Sequence, residues 1–230
     1  MPRRPAIQTL RGVLSLSLPD PPPNLPPISE RAVAWDERFA SEGFTYGSRP
    51  NVFIAAQAAA FPAGAEVVEL GAGEGRNAVW LAEQGFRVTA IDYSQAGLDK
   101  TQAFAASRGV EVETVLADLA FWRPDRTWDA AACSFLHMRF GDRLRFYAAV
   151  QAALRPGGLF VAEWFRPEQR TQGYTSGGPP TVDYLIKPTE LQQHFSQGTI
   201  LQCEAADVTL AEGRYHQGPA AVVRFVFRRH

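Results

Sequence analysis

The sequence predicts an α/β fold built on a mostly parallel β-sheet. Strand-like and helix-like segments alternate from about residue 67 to residue 165, and a glycine turn joins the first strand to a helix. Such alternation is typical of parallel strands linked by right-handed crossovers. Residues 200–210 and 220–227 are also strand-like, with only a short loop between them. A connection that short predicts an antiparallel pair at the end of the sheet.

The chain ahead of the sheet divides into a proline-rich part and two predicted helices. Residues 1–28 hold eight of the 17 prolines, so we expect a disordered or surface-draped extension there and one domain over residues 29–230. Ser29 is expected to cap a helix that ends at Gly43. A second helix is expected over residues 51–61, after an aromatic loop.

Each element of the sheet region has its own start or stop signal. Ser94 precedes a predicted helix over residues 95–108, and Asp142 precedes another that runs to Leu154. The Pro-Gly-Gly run at residues 156–158 predicts a turn into the fifth strand. The predicted parallel strands cover residues 67–70, 86–91, 112–116, 128–133 and 159–165.

Composition limits the classes of function. The 230-residue chain has a net charge of −1, which does not provide the basic surface of a nucleic-acid-binding protein. No apolar run approaches the roughly 18 residues of a membrane-spanning helix. Cys133 and Cys203 are too few and too far apart to predict a disulfide framework or a metal site. We therefore expect a cytoplasmic protein without a metal, of unknown oligomeric state.

The segment from Glu69 to Asn77 carries the clearest functional signal. An aliphatic strand ends there, and Gly71, Gly73 and Gly75 follow at alternate positions before a helix begins. Such a turn lets a ligand approach the backbone, and the helix N-terminus offers free N–H groups to an anionic ligand group. A dinucleotide fingerprint needs its third glycine where this sequence has Arg76. The spacing therefore argues against a nicotinamide cofactor.

Acidic residues stand at or near the ends of three successive predicted strands: Glu69, Asp92 and Asp118. Asp92 follows Gly71 by 21 residues, and a carboxylate at that position can accept two hydrogen bonds from a ribose diol. Tyr93 is placed to lie against an adenine ring. Ligands of open α/β sheets bind at the carboxyl ends of the strands, so a nucleoside-containing ligand is predicted at this edge.

The run G-A-G-E-G-R-N resembles the first motif of class I S-adenosylmethionine (SAM) methyltransferases, and especially of the small tellurite-resistance and thiopurine methyltransferase-like group. Residues 35–39 and 46–51 resemble that group's N-terminal helix and loop, which fold over the cofactor. The resemblance covers residues 35–228 and has no counterpart for residues 1–28. It implies a Rossmann-like sheet of seven mostly parallel strands with an antiparallel last strand and helices on both faces.

The resemblance also implies the cofactor and the reaction. The cofactor would be SAM, and the methyl group would pass by in-line displacement to a small molecule such as a thiol, a selenium or tellurium compound or another small nucleophile. The sequence after the fourth strand lacks the pattern of DNA amino-methylating enzymes. The residues expected to bind the cofactor are Tyr46, Arg49, Glu69, Gly71, Ala72, Gly73, Asn77, Asp92, Tyr93, Asp118, Leu119 and Cys133. Cys133 is also expected to be a buried apolar residue.

Candidates for chemistry at the acceptor are few. His137 follows the fourth strand, where it could accept a proton from a nucleophile or simply pack beneath the loop. Tyr174 and His216 are expected to border the acceptor pocket. The glycine-rich loop at residues 172–180 is a candidate lid. Two alternatives stay open: a non-catalytic SAM-binding regulatory protein and an NAD(P)-dependent oxidoreductase.

Overall fold

A computed structural model describes residues 24–230 as one seven-stranded β-sheet with helices around it. The strand order is β3-β2-β1-β4-β5-β7-β6. Strands β1 to β5 pair in parallel, and β7 runs antiparallel to both β5 and β6, which confirms the predicted sheet. The strands are β1 (Glu66–Leu70), β2 (Arg87–Asp92), β3 (Val112–Leu116), β4 (Trp128–Ser134), β5 (Leu154–Phe165), β6 (Gly198–Glu212) and β7 (His216–Arg229).

Eight α-helices and two short 3₁₀ turns accompany these strands in the described part of the chain. The 3₁₀ turns are Ala58–Ala60 and Val182–Tyr184. The predicted proline-rich extension lies mostly outside the described residues. The helices are α1 (Ile28–Arg31), α2 (Val33–Phe39), α3 (Val52–Gln57), α4 (Arg76–Glu83), α5 (Gln95–Ser107), α6 (Phe140–Ala153), α7 (Glu168–Thr171) and α8 (Pro188–His194).

Capping side chains explain where two of the helices begin. The Ser94 hydroxyl accepts the Gly97 N–H at 3.1 Å and starts α5 as predicted. Asn51 starts α3 in the same way, because its side-chain oxygen accepts the Ile54 N–H at 3.0 Å. The Asp142 prediction is wrong: α6 begins two residues earlier, at Phe140, and Asp142 lies in its first turn. A carboxylate there still favours the positive end of the helix.

Two further predictions of local structure are wrong. The helix expected from Ser29 to Gly43 is two short helices that meet at the buried Ala32, and Ser29 lies inside the first of them. The Pro-Gly-Gly turn lies within β5 rather than before it. The partner of β5 advances from Trp128 to Ala130 while β5 advances from Leu154 to Leu159, so the extra residues form an irregularity in the strand.

The core lies on both faces of the sheet because successive strand residues point to opposite sides. On β1, for example, Val67 belongs to one apolar cluster and Val68 to the other. Cys133 lies fully buried in the cluster that contains Val68, as expected. Helices α1–α3 and the loop between α2 and α3 then lie near the carboxyl ends of the strands, where polar side chains gather.

Candidate functional site

The glycine turn between β1 and α4 is packed so closely that side chains would not fit. A Cβ added at Gly75 would come within 2.6 Å of Thr101, and Gly75 itself has a φ of 81°. At Gly73 the added atom would meet the ring of Phe39 at 3.1 Å. The turn thus needs glycine for close packing against α5 and α2 as well as for its left-handed backbone.

Glu69, the last residue but one of β1, is almost completely buried, and only one of its carboxylate oxygens has a hydrogen-bond partner among the described residues. Its Oε1 accepts the Asn77 amide at 2.7 Å, and the same amide group donates to Ser134 Oγ at 3.0 Å. Its buried Oε2 has no hydrogen-bond partner within residues 24–230. Burial raises the pKa of Glu69 to about 7. This site therefore fits a cationic ligand group, which would stabilise the ionised carboxylate.

Asp92 ties the end of β2 to the glycine turn. Its carboxylate accepts the Gly73 N–H at 2.8 Å and the Ser94 N–H at 2.9 Å. Burial raises the pKa of Asp92 in spite of these hydrogen bonds. An ionised carboxylate has about four acceptor positions, so acceptor capacity remains for a ligand hydroxyl.

The residues expected around an adenine ring lie at the next strand ends. Tyr93 is half-buried, and burial raises its pKa to about 12. The Asp118 carboxylate forms an ion pair with Arg31 of α1 and accepts the Ala120 N–H at 2.8 Å. Leu119 beside it is buried, and so is Ala72 in the turn. Arg31 thus pairs with a carboxylate that the sequence predicts to lie near the adenine.

The N-terminal helices lie against the glycine turn and α5. Asp36 on α2 accepts hydrogen bonds from the Ser94 hydroxyl at 2.6 Å and the Ala96 N–H at 3.1 Å. Glu74 in the turn accepts the Thr45 N–H at 2.7 Å and a hydrogen bond from Lys100 at 2.9 Å. These contacts make residues 28–51 a cover over this edge of the sheet, which we call the N-terminal cover.

Tyr46 and Arg49 occupy different environments within the N-terminal cover. The half-buried Tyr46 ring lies 4.6 Å from that of His216 and 6.4 Å from that of Trp35, measured between centroids. Its hydroxyl accepts a hydrogen bond from Arg38 at 3.1 Å. Arg49 is exposed and donates to the carbonyl of Ala211 at 3.3 Å. Their cofactor contacts stay predictions.

His137 has the arrangement of a neutral imidazole with one nitrogen free to accept a proton. Its Nδ1 lies 3.1 Å from the Tyr184 carbonyl, a contact that fixes the tautomer with the proton on Nδ1. Its Nε2 is buried and unpartnered among the described residues. Burial lowers the pKa of His137 to about 3, so the ring stays neutral at ordinary pH and is a weak base.

Arg143, which the sequence did not reveal, binds the neighbours of both residues in the contact between His137 and Tyr184. Arg143 Nη1 donates to the carbonyls of Met138 and Asp183, at 2.7 Å each. Its other nitrogens bond both carboxylate oxygens of Glu190, at 2.7 and 2.9 Å. A bidentate pair of this kind is geometrically specific, so it fixes the loop after β4 against the segment before α8.

A second set of polar residues, also missed from the sequence, lies buried near β5, β6 and β7. The Asn51 amide donates to Glu163 at 2.8 Å and to Glu212 at 3.2 Å. Arg76 donates to the other carboxylate oxygen of Glu212 at 2.7 Å. Arg224 donates to the other carboxylate oxygen of Glu163 at 2.8 Å. The only signal in the sequence was an acid, Glu163, inside an apolar strand.

The glycine-rich loop after α7 is held in place by Arg170. Its guanidinium donates to the carbonyls of Tyr174, Gly177, Gly178 and Pro179, at distances from 2.5 to 3.2 Å. Tyr174 is half-buried in this loop. The loop, fixed by these hydrogen bonds, covers one side of the region around His216, as a lid would.

The described residues contain no group of three His, Cys, Asp or Glu side chains arranged to hold a metal. None of the described helices has both the length and the apolar character needed to cross a membrane.

Known proteins resemble this chain in sequence over part of its length. Residues 67–158 match the family model described as a methyltransferase domain. The ubiquinone biosynthesis O-methyltransferase of Rickettsia akari is 24% identical over 146 residues, which is 59% of this chain and 58% of the relative. This chain thus spans less than two thirds of the length of that curated relative.

Solved structures share the fold. TehB from Haemophilus influenzae has a TM-score of 0.66 at 14% identity, over 79% of this chain and 63% of its own. The N-methyltransferase NodS from Bradyrhizobium japonicum, in complex with S-adenosylhomocysteine, has a TM-score of 0.61 at 15% identity, over 86% of this chain and 97% of its own. With the match of residues 67–158, these findings show a methyltransferase-like domain that shares the Rossmann-like fold of known SAM-dependent methyltransferases.

Proposed function

We propose that this protein transfers a methyl group from SAM to a small molecule in one in-line displacement. The observation that carries the proposal is the buried, unpartnered Oε2 of Glu69 beside the glycine turn. SAM supplies an electrophilic methyl group on a sulfonium and also carries an ammonium group. Glu69 accepts a hydrogen bond from that ammonium and gains a charged partner.

The other strand ends complete the cofactor site. Asp92 accepts hydrogen bonds from the ribose, while Gly71 and Gly73 let the backbone approach the ligand. Tyr93, Asp118 and Leu119 border the adenine. Asn77 holds Glu69 in place, and the N-terminal cover excludes water from the site. Most of the catalytic effect then comes from positioning, which contributes up to about 7–11 kcal/mol in favourable cases.

The acceptor in this proposal is a thiol, a selenium or tellurium compound or another small nucleophile. A net charge of −1 favours such molecules over nucleic acid. An oxygen acceptor is the second candidate, because a curated relative is named as an O-methyltransferase. An alcohol needs a proton acceptor, and we propose the unpartnered Nε2 of His137 for that role. A thiolate needs no such help.

Calorimetry and a labelled-methyl screen test the proposal together. We expect SAM and S-adenosylhomocysteine to bind at pH 7.5, and SAM to label at least one acceptor among thiols, phenols, amines and metalloid oxyanions. Glu69→Gln should weaken SAM binding, whereas Glu66→Gln, at the opposite end of the same strand, should not. Binding without transfer to any acceptor would favour a regulatory protein. Tight NAD(P)H binding without SAM binding would favour an oxidoreductase.

A further inference from the structure

The turn that joins β6 to β7 lies directly on the N-terminal cover. Residues 213–215 form this turn, between Glu212 at the end of β6 and His216 at the start of β7, and we call them the hairpin turn. The Arg214 N–H donates to the Thr45 carbonyl at 3.0 Å. The cover and the turn, which lie far apart in the sequence, are thus joined through the backbone.

The two backbones cross at a pair of glycines, Gly47 in the cover and Gly213 in the turn. A Cβ added at Gly213 would come within 2.1 Å of the Tyr46 carbonyl carbon, and one added at Gly47 would come within 3.0 Å of the Gly213 nitrogen. Both glycines also have a positive φ, 75° at Gly47 and 70° at Gly213. The contact is therefore between backbone atoms, with no flexible side chain between them to absorb a displacement.

Glu212, which precedes the hairpin turn, binds the last residue of the cover. Its buried carboxylate accepts hydrogen bonds from the side-chain amide of Asn51 at 3.2 Å and from Arg76 at 2.7 Å. The Asn51 N–H donates to the side-chain oxygen of Asn77 at 2.7 Å, and Asn77 donates to Glu69 at 2.7 Å. A continuous series of hydrogen bonds thus runs from the end of β6, through the cover, to the carboxylate proposed to bind the ammonium group.

The buried groups in this series have little freedom to change partners. Asn51 is fully buried, and the Arg76 guanidinium that pairs with Glu212 is buried as well. A movement of the hairpin turn that displaced Glu212 would leave the Arg76 charge buried without its carboxylate, which is strongly unfavourable. We therefore expect the turn and the end of the cover to move together.

We propose, on the basis of the proposed function, that Glu212 and Gly213 are positioning residues for cofactor binding. Neither residue is among those proposed above to contact the cofactor, and both act through the N-terminal cover. The hairpin turn holds residues 45–51 against the site, and the bond from Asn51 to Asn77 orients the side chain that binds Glu69. Coupling between two sites is reciprocal, so a cofactor that holds the cover in place also holds the hairpin turn.

Hydrogen exchange of the wild-type protein, followed by NMR, tests this reciprocity. The Arg214 N–H reports on the contact because its acceptor is the Thr45 carbonyl. We expect saturating SAM to slow exchange at Arg214 at least about five-fold more than at residues 198–203, which form the other end of the same hairpin. A five-fold effect is the lower end of ordinary coupling between two sites. SAM that protects residues 44–51 but leaves Arg214 unaffected would overturn the inference and leave the proposed function intact.

Gly213→Ala tests the backbone contact itself. The added methyl group would collide with the cover, so we expect SAM binding in calorimetry to weaken at least about five-fold, with loss of the SAM-dependent slowing at Arg214. The matched control is Gly109→Ala, because Gly109 has the same φ of 70° but an added Cβ there meets no described atom within 4 Å. Both variants carry the backbone strain and only one carries the collision, so Gly109→Ala should leave the Kd of SAM unchanged. Equal affinities in the two variants would overturn the inference.

Glu212→Gln is the second variant, and it decides the matter if Gly213→Ala does not fold. An amide there no longer offers a carboxylate oxygen to each of Asn51 and Arg76. We expect SAM to bind at least about five-fold more weakly and to slow Arg214 exchange less than in the wild type. An unchanged Kd with unchanged slowing would show that Glu212 does not position the cover. A wild-type protein that does not bind SAM would instead contradict the proposed function on which the inference rests.

Discussion

Asn77 and Glu69 share a 2.7 Å hydrogen bond that uses only one of the two Glu69 carboxylate oxygens. The other oxygen is buried and unpartnered in the described structure, and burial raises the pKa of this carboxyl to about 7. The unliganded protein therefore holds Glu69 partly protonated near neutral pH. An ammonium ion beside Oε2 would favour the ionised form, so binding of the cofactor and deprotonation of Glu69 are coupled.

The first prediction is that SAM binding tightens about five- to ten-fold between pH 6 and pH 7.5. The reason is that Glu69 is mostly protonated at the lower pH and mostly ionised at the higher one. Calorimetry at the two pH values measures the change. Glu69→Gln should remove the pH dependence and weaken binding at pH 7.5 about 10- to 100-fold, the scale of a charged hydrogen bond. A variant that keeps the pH dependence would show that another group titrates.

Stability provides an independent check on the Glu69 pKa. Between its unfolded value of 4.5 and about 7, the folded protein holds a proton that the unfolded chain has released. Stability therefore falls as pH rises through this window, by an amount on the order of 2–3 kcal/mol. Urea unfolding at pH 5 and pH 7.5 should show a smaller loss in Glu69→Gln than in the wild type. An identical loss in both proteins would contradict the raised pKa.

The second prediction concerns Asp92 and the ribose. Asp92→Ala should weaken SAM binding by about 1.5–3 kcal/mol, since it removes charged hydrogen bonds. The variant also releases the N–H groups of Gly73 and Ser94, so lost affinity alone would not prove a ribose contact. A 2′-deoxy analogue of SAM separates the two effects. Wild-type protein should prefer SAM to this analogue, and Asp92→Ala should lose that preference.

The control for this experiment is Asp99→Ala on α5, where the carboxylate is exposed and bonds Gln95. It should leave both affinities unchanged. If Asp92→Ala still distinguishes SAM from the deoxy analogue, the ribose is bound by other residues.

The parts of the site that the sequence predicted are those set by local pattern. The glycine turn, Glu69 and Asp92 are encoded by a strand end, a spacing and a turn within about 25 residues of one another. Periodicity and strand-end position locate such features because they depend on the backbone near them. The parallel strands followed from the same alternation, and the antiparallel pair followed from the short connection at the end of the chain.

The parts that the sequence did not reveal depend on contacts between distant segments. Asn51 bonds Glu163 across 112 positions and Glu212 across 161, and no local pattern marks those pairs. Arg143 lies in a predicted helix, but one of its two carbonyl partners, Asp183, lies 40 positions away in the sequence. The split at Ala32 was missed because the composition of residues 28–39 does not interrupt a helix.

The third prediction is that His137 matters for oxygen acceptors and not for thiols. His137→Asn keeps a side-chain amide that can donate to the Tyr184 carbonyl but removes the free acceptor Nε2. We expect kcat for a phenol or alcohol to fall, but by less than the 10²- to 10⁴-fold of a general base whose pKa lies near the operating pH, because the buried ring is a weak base. Turnover of a thiol and the Kd of SAM should stay nearly unchanged. Equal losses for both acceptors would indicate a structural role instead.

The same residue should make the fold sensitive to acid. The unfolded chain protonates this histidine near pH 6.5, but the folded protein does so only at about pH 3. Stability contributed by the neutral ring is therefore lost as pH falls through that window. His137→Asn should flatten the loss of stability between pH 6.5 and pH 4 in urea unfolding. A loss as steep as that of the wild type would show that other groups cause it.

The fourth prediction is that Tyr46 recognises the positive charge of the cofactor. A ring beside a sulfonium gains about 0.5–2 kcal/mol of cation–π attraction, and Tyr46 lies on the N-terminal cover with part of its surface accessible. Tyr46→Ala should weaken SAM binding about 2- to 30-fold and weaken S-adenosylhomocysteine less, because the latter lacks the charge. SAM should also protect the backbone amides of residues 44–51 from hydrogen exchange.

If Tyr46 contributed only packing, Tyr46→Ala would weaken both ligands equally. Tyr215→Ala is the control for this effect. The Tyr215 ring lies 6.0 Å from that of Tyr46 and is 47% exposed, so Tyr215→Ala removes a neighbouring ring from the outer side of the cover. We expect it to change the two affinities by equal, small amounts. Equal losses for both ligands in Tyr46→Ala would leave Tyr46 a packing role only. Suppose that Tyr46→Ala loses no affinity for SAM and that SAM does not protect residues 44–51 from hydrogen exchange. These residues would then not close over the cofactor, because closure must bury either the Tyr46 ring or the amides around it.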